Sequence, residues 1–228
     1  MVKCEFCDLA SKRPVLQPGE QALCERCGSV HGTCCGQIWE HKGFEDGFRL
    51  MANRTVERMW SWSRGGRVPI VVDVSTCHLT LTHDLAPVLS EENARRYRKL
   101  HLLDLNEWLR DDVLPKLEVT SRLGSVVLHP TCGCVQTGSD GAMLEVARAC
   151  AEQATVPVHW SCCGTAGDRG FLHPELTDGA QLYEQEEVAR KDYDGYYSVA
   201  RTCEINLSQR AGKSYESIAY LVEEATRP

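Results

Sequence analysis

The sequence predicts an α/β fold built from two pseudo-symmetric β/α halves with short parallel sheets, preceded by a small cysteine-bearing segment. Three observations predict it. Short apolar runs alternate with helical patterns, a Cys-Cys-Gly motif occurs twice in matching surroundings, and each motif is followed at a similar distance by a cysteine just after a predicted strand. Strands that alternate with helices imply parallel β/α units.

The elements follow in order. Residues 1–30 carry Cys4-x2-Cys7 and Cys24-x2-Cys27, with Pro14, Pro18 and Gly19 between them and no helical periodicity. Residues 31–122 form the first half. In it Pro69 to Ser75 reads as a short buried strand, Glu91 to Leu100 as a charged helix, Leu102 to Leu105 as a strand, and Asn106 to Leu117 as a helix with Trp108, Leu109, Val113 and Leu114 at helical spacing. Residues 123–228 form the second half. Ser125 to His129 reads as a buried strand, Asp140 to Gln153 as a helix capped by Ser139, Thr155 to Trp160 as a strand, Ala180 to Lys191 as a helix, Gly195 to Val199 as a strand and Tyr215 to Ala225 as a last helix.

The internal repeat is specific. Gly32-Thr-Cys34-Cys35-Gly36-x6-Gly43-Phe44 matches Trp160-Ser-Cys162-Cys163-Gly164-x5-Gly170-Phe171, with Lys42 and Arg169 each before the later glycine. Val72 to Cys77 matches Tyr197 to Cys203. Between Cys35 and Cys77 lie 41 residues, and 39 lie between Cys163 and Cys203. Cys132 precedes Cys162 by 30 positions, as Cys4 precedes Cys34.

Composition narrows the function. The chain has 228 residues, 43% apolar and 25% charged, the profile of a soluble globular protein able to bury a core without staples. A net charge of −7 argues against nucleic acid as partner. The opening Met1-Val2-Lys3-Cys4 lacks a signal-peptide pattern, and the apolar run Val68 to Val74 is broken by Pro69 and Asp73, so neither a signal peptide nor a transmembrane segment is expected. The expected location is the cytoplasm, or the periphery of the inner membrane on a membrane partner. Thirteen cysteines in such a chain point to metal or redox work, because disulfides are disfavoured in a reducing compartment.

A metal–sulfur cluster needs several thiolates in one small volume. Cysteines far apart in sequence can meet where parallel strands end and loops gather. Cys132, Cys162, Cys163 and Cys203 each follow a predicted strand of the second half and make a full set. Cys34, Cys35 and Cys77 are the corresponding set of the first half, without a clean fourth member. Gly36 and Gly164 allow the backbone to approach sulfur and donate an N–H. An adjacent pair also fits a strained vicinal disulfide or two zinc ligands, but the repetition in matching contexts favours an iron–sulfur cluster.

These residues resemble a known family. His129-Pro-Thr-Cys132, Cys162-Cys163-Gly-Thr-Ala-Gly-Asp-Arg-Gly-Phe171-x2-Pro174-Glu-Leu176, Ser198-x2-Arg201-Thr-Cys203-Glu-Ile205 and Tyr215-x-Ser-Ile-x-Tyr-Leu-Val222 look like the C-terminal iron–sulfur region of FAD-linked D-lactate dehydrogenases. That region is part of the wider cysteine-rich, or CCG, domain family, with the heterodisulfide reductase B subunit, the glycerol-3-phosphate dehydrogenase C subunit and lactate-utilisation proteins. The resemblance covers about residues 31–228 and is more specific in the second half; in the first it rests on Gly32 to Gly36, Met51-Ala-Asn-Arg54 and Val72-Asp73-x-Ser75-x-Cys77. It implies a 4Fe–4S protein that relays electrons from a flavin-dependent dehydrogenase of a 2-hydroxy acid to a quinone or cytochrome. The family's flavin domain is absent from this sequence, so FAD is expected on a partner or on a further domain, and the chain by itself is not expected to oxidise lactate. The sequence departs from the family at Thr80 and Asn206, where some members complete a Cys-x2-Cys ending, and this argues against a five-thiolate cluster of the heterodisulfide reductase type. Residues 8–23 also lack the helix that normally follows the family's first cysteine.

The tetrad Cys4, Cys7, Cys24 and Cys27 has zinc-site spacing and resembles the zinc-ribbon-like segment of paraquat-inducible membrane proteins. Cys4 has a rival assignment, as fourth ligand of the first half; with Cys4 on zinc, that half is either cluster-free or recruits another group such as His31. His31 and His41 flank the first cysteine pair, and His129 is read as structural or as a hydrogen-bond partner of the cluster. Cys134 is read as incidental and Cys150 as a core thiol. Asp168-Arg169 is read as a loop ion pair or as charge beside the cluster, and Met59, Trp60 and Trp62 as core or interface. The competing functions are a thiol–disulfide redox enzyme resembling heterodisulfide reductase and a zinc-binding interaction module without a cluster.

Overall fold

The computed structural model describes residues 34–228, together with the backbone of the antiparallel pair β1 (Val2–Lys3) and β2 (Ala10–Ser11). The cysteines proposed for zinc, Cys4, Cys7, Cys24 and Cys27, lie outside the described residues, as does His31.

Within them the architecture is α/β with short parallel sheets, as the sequence predicts. After α1 (Gln37–His41), the long α2 (Glu45–Trp62) buries Phe48, Ala52, Val56 and Met59, a stripe at helical spacing, against Val72, Leu81 and Leu85. Met59 and Trp62 thus belong to the core, whereas α2 itself is not evident from local pattern because Glu57, Arg58 and Trp60 blur its stripe. The two-stranded sheet pairs β3 (Ile70–Val72) with β4 (Leu102–Asp104) in parallel, Ile70 opposite Leu102 and Val72 opposite Asp104. Between them lie α3 (Ser75–Leu79), which continues through a π-helical turn at Thr80–Asp84, and α4 (Glu91–Tyr97), whose Ser90 Oγ accepts from the Asn93 N–H. The helix expected over 106–117 is three windings in series: α5 (Leu105–Trp108), a π turn at Leu109–Val113 and a 3-10 turn at Leu114–Lys116 containing Pro115. Proline cannot donate to the α ladder, which accounts for the tightened end.

The second sheet holds β5 (Leu123–Leu128), β6 (Ala151–Thr155), β7 (Gly195–Ser198) and β8 (Tyr215–Ser217), all parallel, in the order β6-β5-β7-β8. Its connections are α6 (Cys132–Thr137), α7 (Asp140–Cys150), α8 (Arg169–Leu172), α9 (Pro174–Val188) and α10 (Arg201–Ala211), with α11 (Ile218–Thr226) at the end. Four expectations are corrected. The helix from Asp140 stops at Cys150 and β6 follows at once. The strand expected over Thr155 to Trp160 therefore lies earlier, over Ala151–Thr155, and ends before Pro157, which has no N–H for a ladder. Ser139 does not cap α7 with its side chain; its hydroxyl donates to Cys134 Sγ instead. The last helix begins only at Ile218, because Tyr215–Ser217 pairs with β7.

Chain order and strand order diverge at β5. The chain leaves it for β6 on one side and returns to β7 on the other, so the loops after β5 and β7 open a crevice at their C-terminal ends. The two sheets meet there. The Ser75 N–H donates to the Val199 carbonyl at 3.0 Å, and the Ser75 and Thr131 hydroxyls share a hydrogen bond. Val126, Leu128, Met143, Val146, Ile218 and Leu221 form the buried core beneath. Leu128, at 0% exposure on a central strand, tests it: Leu128→Ala is expected to destabilise by about 3 kcal/mol, read as a lower urea midpoint at unchanged slope. No helix among the described residues is long and apolar enough to cross a membrane.

Candidate functional site

The crevice gathers the second cysteine set. Cys132 is the first residue of α6 after β5, Cys162 and Cys163 lie in the loop after β6, and Cys203 is the third residue of α10 after β7. Their sulfurs form a row of contacts: Cys132 touches Cys162, Cys162 touches Cys163, and Cys163 Sγ lies 2.9 Å from Cys203 Sγ. Cys163 and Cys203 are buried and Cys162 is exposed.

The first set repeats the design. Cys77 is the third residue of α3 after β3, and its sulfur meets Cys35, which meets Cys34. Gly36 and Gly164 both have positive φ, 96° and 73°, and both turn their N–H toward the first sulfur of their pair, Cys34 at 3.4 Å and Cys162 at 3.5 Å. Only glycine holds that geometry without strain. Among the described residues no disulfide forms; all nine cysteines are free.

Crowding splits the thiols. Hydrogen bonds from Cys132 and then Cys163 hold Cys162 far below the usual thiol range, at about 2. Contact with Cys162 pushes Cys132 and Cys163 well above that range. In the first set, the hydrogen bond from Cys35 lowers Cys77, and contact with Cys35 raises Cys34. Several thiolates side by side repel one another unless a cation compensates them, which is the chemistry of a metal–thiolate site.

Among the described residues no three Cys, His, Asp or Glu side chains surround a single point at ligand distance. Thiolates on one tetrahedral zinc stand roughly 3.8 Å apart, given Zn–S near 2.3 Å. The 2.9 Å between Cys163 and Cys203 is shorter, so these sulfurs must part to ligate any metal.

The remaining candidates fall outside the row. Cys134, buried, accepts from Asn106 Nδ2 and Ser139 Oγ, each at 3.3 Å, and burial pushes its thiol up to about 12. Cys150 is core. His41 is exposed beside Glu40. Asp168 pairs with Lys42 at 2.7 Å, an ion pair between the two repeat loops that holds the Asp168 carboxyl below its ordinary range. Asn206, where a further cysteine would stand, is buried and donates to Thr165 Oγ1 at 3.0 Å; that hydroxyl lies 3.2 Å from Cys163 Sγ.

Sequence reasoning missed the support for the loops. Helix α9 turns a buried polar stripe, Thr177, Gln181 and Glu184, toward the thiol loops; Gln181 Nε2 donates to the Cys163 carbonyl at 2.7 Å and Glu184 meets His129 at 2.7 Å. The signal was there, as polar residues at helical spacing, but polar residues are ordinarily assigned to solvent. Glu187 accepts from the Val158 N–H at 2.8 Å and the His159 N–H at 2.9 Å, pinning the approach to Cys162. Desolvation would raise its carboxyl, yet these donors prevail and hold it below the ordinary carboxylate range. A depressed acid contributes in full above its unfolded value and is lost as pH falls through its folded value. The protection of the Val158 and His159 amides, measured as exchange relative to the intrinsic rate at each pH, is therefore expected to fall below the ordinary carboxylate range, and in Glu187→Gln to be several-fold lower at neutral pH.

Residues 21–82 match the family model described as a cysteine-rich domain, CCG. That span contains Cys24, Cys27, Cys34, Cys35 and Cys77, whereas the motifs quoted from the sequence are more specific in the second half. The C subunits of anaerobic glycerol-3-phosphate dehydrogenase from Escherichia coli strain K12 and from Escherichia coli O157:H7 are each 26% identical to this chain over 163 residues. The alignment takes in 70% of this chain, and the chain spans 41% of the length of these relatives. The chain is thus similar to a cysteine-rich domain in its first part and, over most of its length, to a component of a dehydrogenase.

Proposed function

We propose that the chain is an iron–sulfur electron relay serving a flavin-dependent dehydrogenase, with one 4Fe–4S cluster on Cys132, Cys162, Cys163 and Cys203. The observation that carries this reading is the meeting of four free thiols at the C-terminal ends of three parallel strands. When bound, such a cluster accepts and passes on single electrons at a potential set by its surroundings. The chain's own residues hold it and shape that potential. Loops after β5, β6 and β7 supply the sulfurs, the Gly164 N–H faces sulfur, and α9 braces the loop through Gln181. Exposed Cys162 marks the edge through which electrons pass most directly to a partner.

D-lactate, the substrate implied by the sequence resemblance, and glycerol 3-phosphate, named for the relatives, are both oxidised at a secondary alcohol. The partner is accordingly a flavoprotein oxidising such an alcohol, with FAD on that partner or domain, and the acceptor is a quinone or cytochrome at the inner membrane. Cys34, Cys35 and Cys77 are the candidate second site, supported by the family match over 21–82; with Cys4 on zinc, that half is either cluster-free or takes another group as its fourth ligand. Zinc on Cys4, Cys7, Cys24 and Cys27 remains the proposal for the N-terminal segment. Buried Asn206 in place of a fifth thiol disfavours the heterodisulfide reductase reading.

Anaerobic purification with iron, acid-labile sulfide and zinc analysis tests this. The expected result is a brown protein with at least about four iron and four sulfide per chain that bleaches on reduction and gains an electron paramagnetic resonance signal. A colourless protein carrying zinc alone would overturn it.

A further inference from the structure

A buried hydroxyl stands directly against one sulfur of the second thiol set. Thr165 Oγ1 lies 3.2 Å from Cys163 Sγ, and Asn206 Nδ2 lies 3.0 Å from Thr165 Oγ1. Thr165 and Asn206 are 1% and 2% exposed, so water does not compete for these contacts. Both residues are held from behind. The Thr165 carbonyl accepts from the Gly170 N–H at 2.8 Å. A methyl on Gly170 would stand 2.8 Å from Thr165 Cα, so glycine there lets α8 close over the loop. Asn206 follows Cys203 on α10 by three residues, about one turn, which puts both side chains on one face.

Hydrogen accounting fixes the direction of these bonds. Asn206 Nδ2 also lies 3.4 Å from the Thr202 carbonyl oxygen. A carbonyl only accepts, so the amide atom that faces it is the nitrogen and not the oxygen. That nitrogen has two hydrogens, one for the Thr202 carbonyl and one for Thr165 Oγ1. The Thr165 hydroxyl therefore accepts from Asn206 and keeps its single hydrogen for another acceptor. Cys163 Sγ is the acceptor within reach, and as a metal-bound thiolate it carries no hydrogen of its own. At the matching positions of the first set stand Gln37 and Thr80. Thr80 Oγ1 is buried with no partner among the described residues, so the first set does not repeat the chain of bonds.

We propose that Thr165 is a positioning residue of the second site: its hydroxyl, oriented by Asn206, donates a hydrogen bond to the Cys163 sulfur and raises the reduction potential of the cluster held there. A donor to sulfur disperses the negative charge that reduction adds. Asn206, standing where a further cysteine would, thus supplies an orienting donor in place of a ligand. This rests on the cluster reading above, and its test separates the two.

The intact chain is purified anaerobically as wild type, Thr165→Val, Thr165→Ser, Asn206→Leu and the double variant Thr165→Val with Asn206→Leu. Iron, sulfide and the reduction potential are measured for each, the second-site signal being the one that Cys203→Ser removes. Valine keeps the shape of threonine and removes the hydroxyl. In Thr165→Val the reduction equilibrium is expected to shift about tenfold toward the oxidised form, a fall near 59 mV for one electron, at unchanged iron and sulfide. Thr165→Ser should restore most of it. Asn206→Leu should give part of the fall and add nothing to Thr165→Val, because it acts through that hydroxyl. Pulsed electron paramagnetic resonance in water and deuterium oxide should show an exchangeable proton coupled to the reduced cluster in the wild type and Thr165→Ser that Thr165→Val lacks. An unchanged potential in a fully loaded Thr165→Val overturns the proposal, as does a fall that Thr165→Ser fails to restore. If Thr165→Val does not load, a wild-type potential in Asn206→Leu overturns it, and so does a wild-type cluster coupled to no exchangeable proton. A wild type that binds no iron and sulfide overturns the cluster reading instead.

Discussion

Cys203→Ser is expected to abolish the cluster signal of the second site and to lower its iron by roughly an order of magnitude, because an iron held by three thiolates and a weak hydroxyl is readily lost. Serine is close in size, and Cys203 sits on an intact α10 whose buried face includes Leu207, so the fold should survive. The same loss is expected for Cys132→Ser, Cys162→Ser and Cys163→Ser. Cys134→Ser and Cys150→Ala are the controls. Both thiols are fully buried, but Cys134 is occupied by Asn106 and Ser139 and Cys150 lies among Val146, Leu221 and Ala225. They should cost stability while leaving iron and sulfide per folded chain unchanged. Loss of the signal in Cys134→Ser, with retention in Cys203→Ser, would sink the ligand assignment.

The second large effect concerns backbone. Gly164→Ala is expected to destabilise the chain by about 3 kcal/mol, combining the strain of a left-handed residue with overpacking. A methyl there would stand 2.7 Å from the Leu176 carbonyl oxygen, 2.8 Å from Ala180 Cβ and 3.0 Å from Thr177 Cα, and two of these three neighbours are backbone of α9 that cannot swing aside. The same shift would move the Gly164 N–H away from Cys162, so metal uptake should fall in step. Gly167→Ala isolates the conformational part. Its φ is 76°, but nothing lies within 4 Å of the added carbon, and it should cost only about 1–2 kcal/mol with uptake preserved. Urea unfolding together with iron analysis reads both. Equal losses at the two positions would remove the close approach of α9 as the reason for Gly164.

Helix α9 illustrates how far local pattern carries. Its apolar residues do not mark a single stripe, since Leu176, Leu182 and Tyr183 face solvent while Thr177, Gln181 and Glu184 are buried. Hydrophobic periodicity finds helices that bury carbon, and this one buries polar groups because it serves a polar site. The end of α7 failed for a different reason. Nothing in Ala151-Glu-Gln-Ala prevents another helical turn; only pairing with β5, Leu123 opposite Ala151 and Val127 opposite Thr155, makes it a strand. Tyr215–Ser217 likewise becomes β8 because β7 offers it an edge.

The paired cysteines divide along the same line. Sequence by itself determined the alternation of strands and helices, the duplication of the Cys-Cys-Gly motif and the placing of Cys77 and Cys203 just past a strand, because residue type, spacing and periodicity are local and survive in one dimension. Which cysteines meet was decided by tertiary structure. Cys132 and Cys134 are two residues apart, yet one joins the sulfur row and the other turns to Asn106 and Ser139. The helix begun at Cys132 sends successive side chains in different directions, and the return of the chain from β6 across β5 to β7 sets which direction faces Cys162 and Cys203. The partner of His129 on α9, 55 residues on, was set by that same crossover, for which no short-range pattern exists.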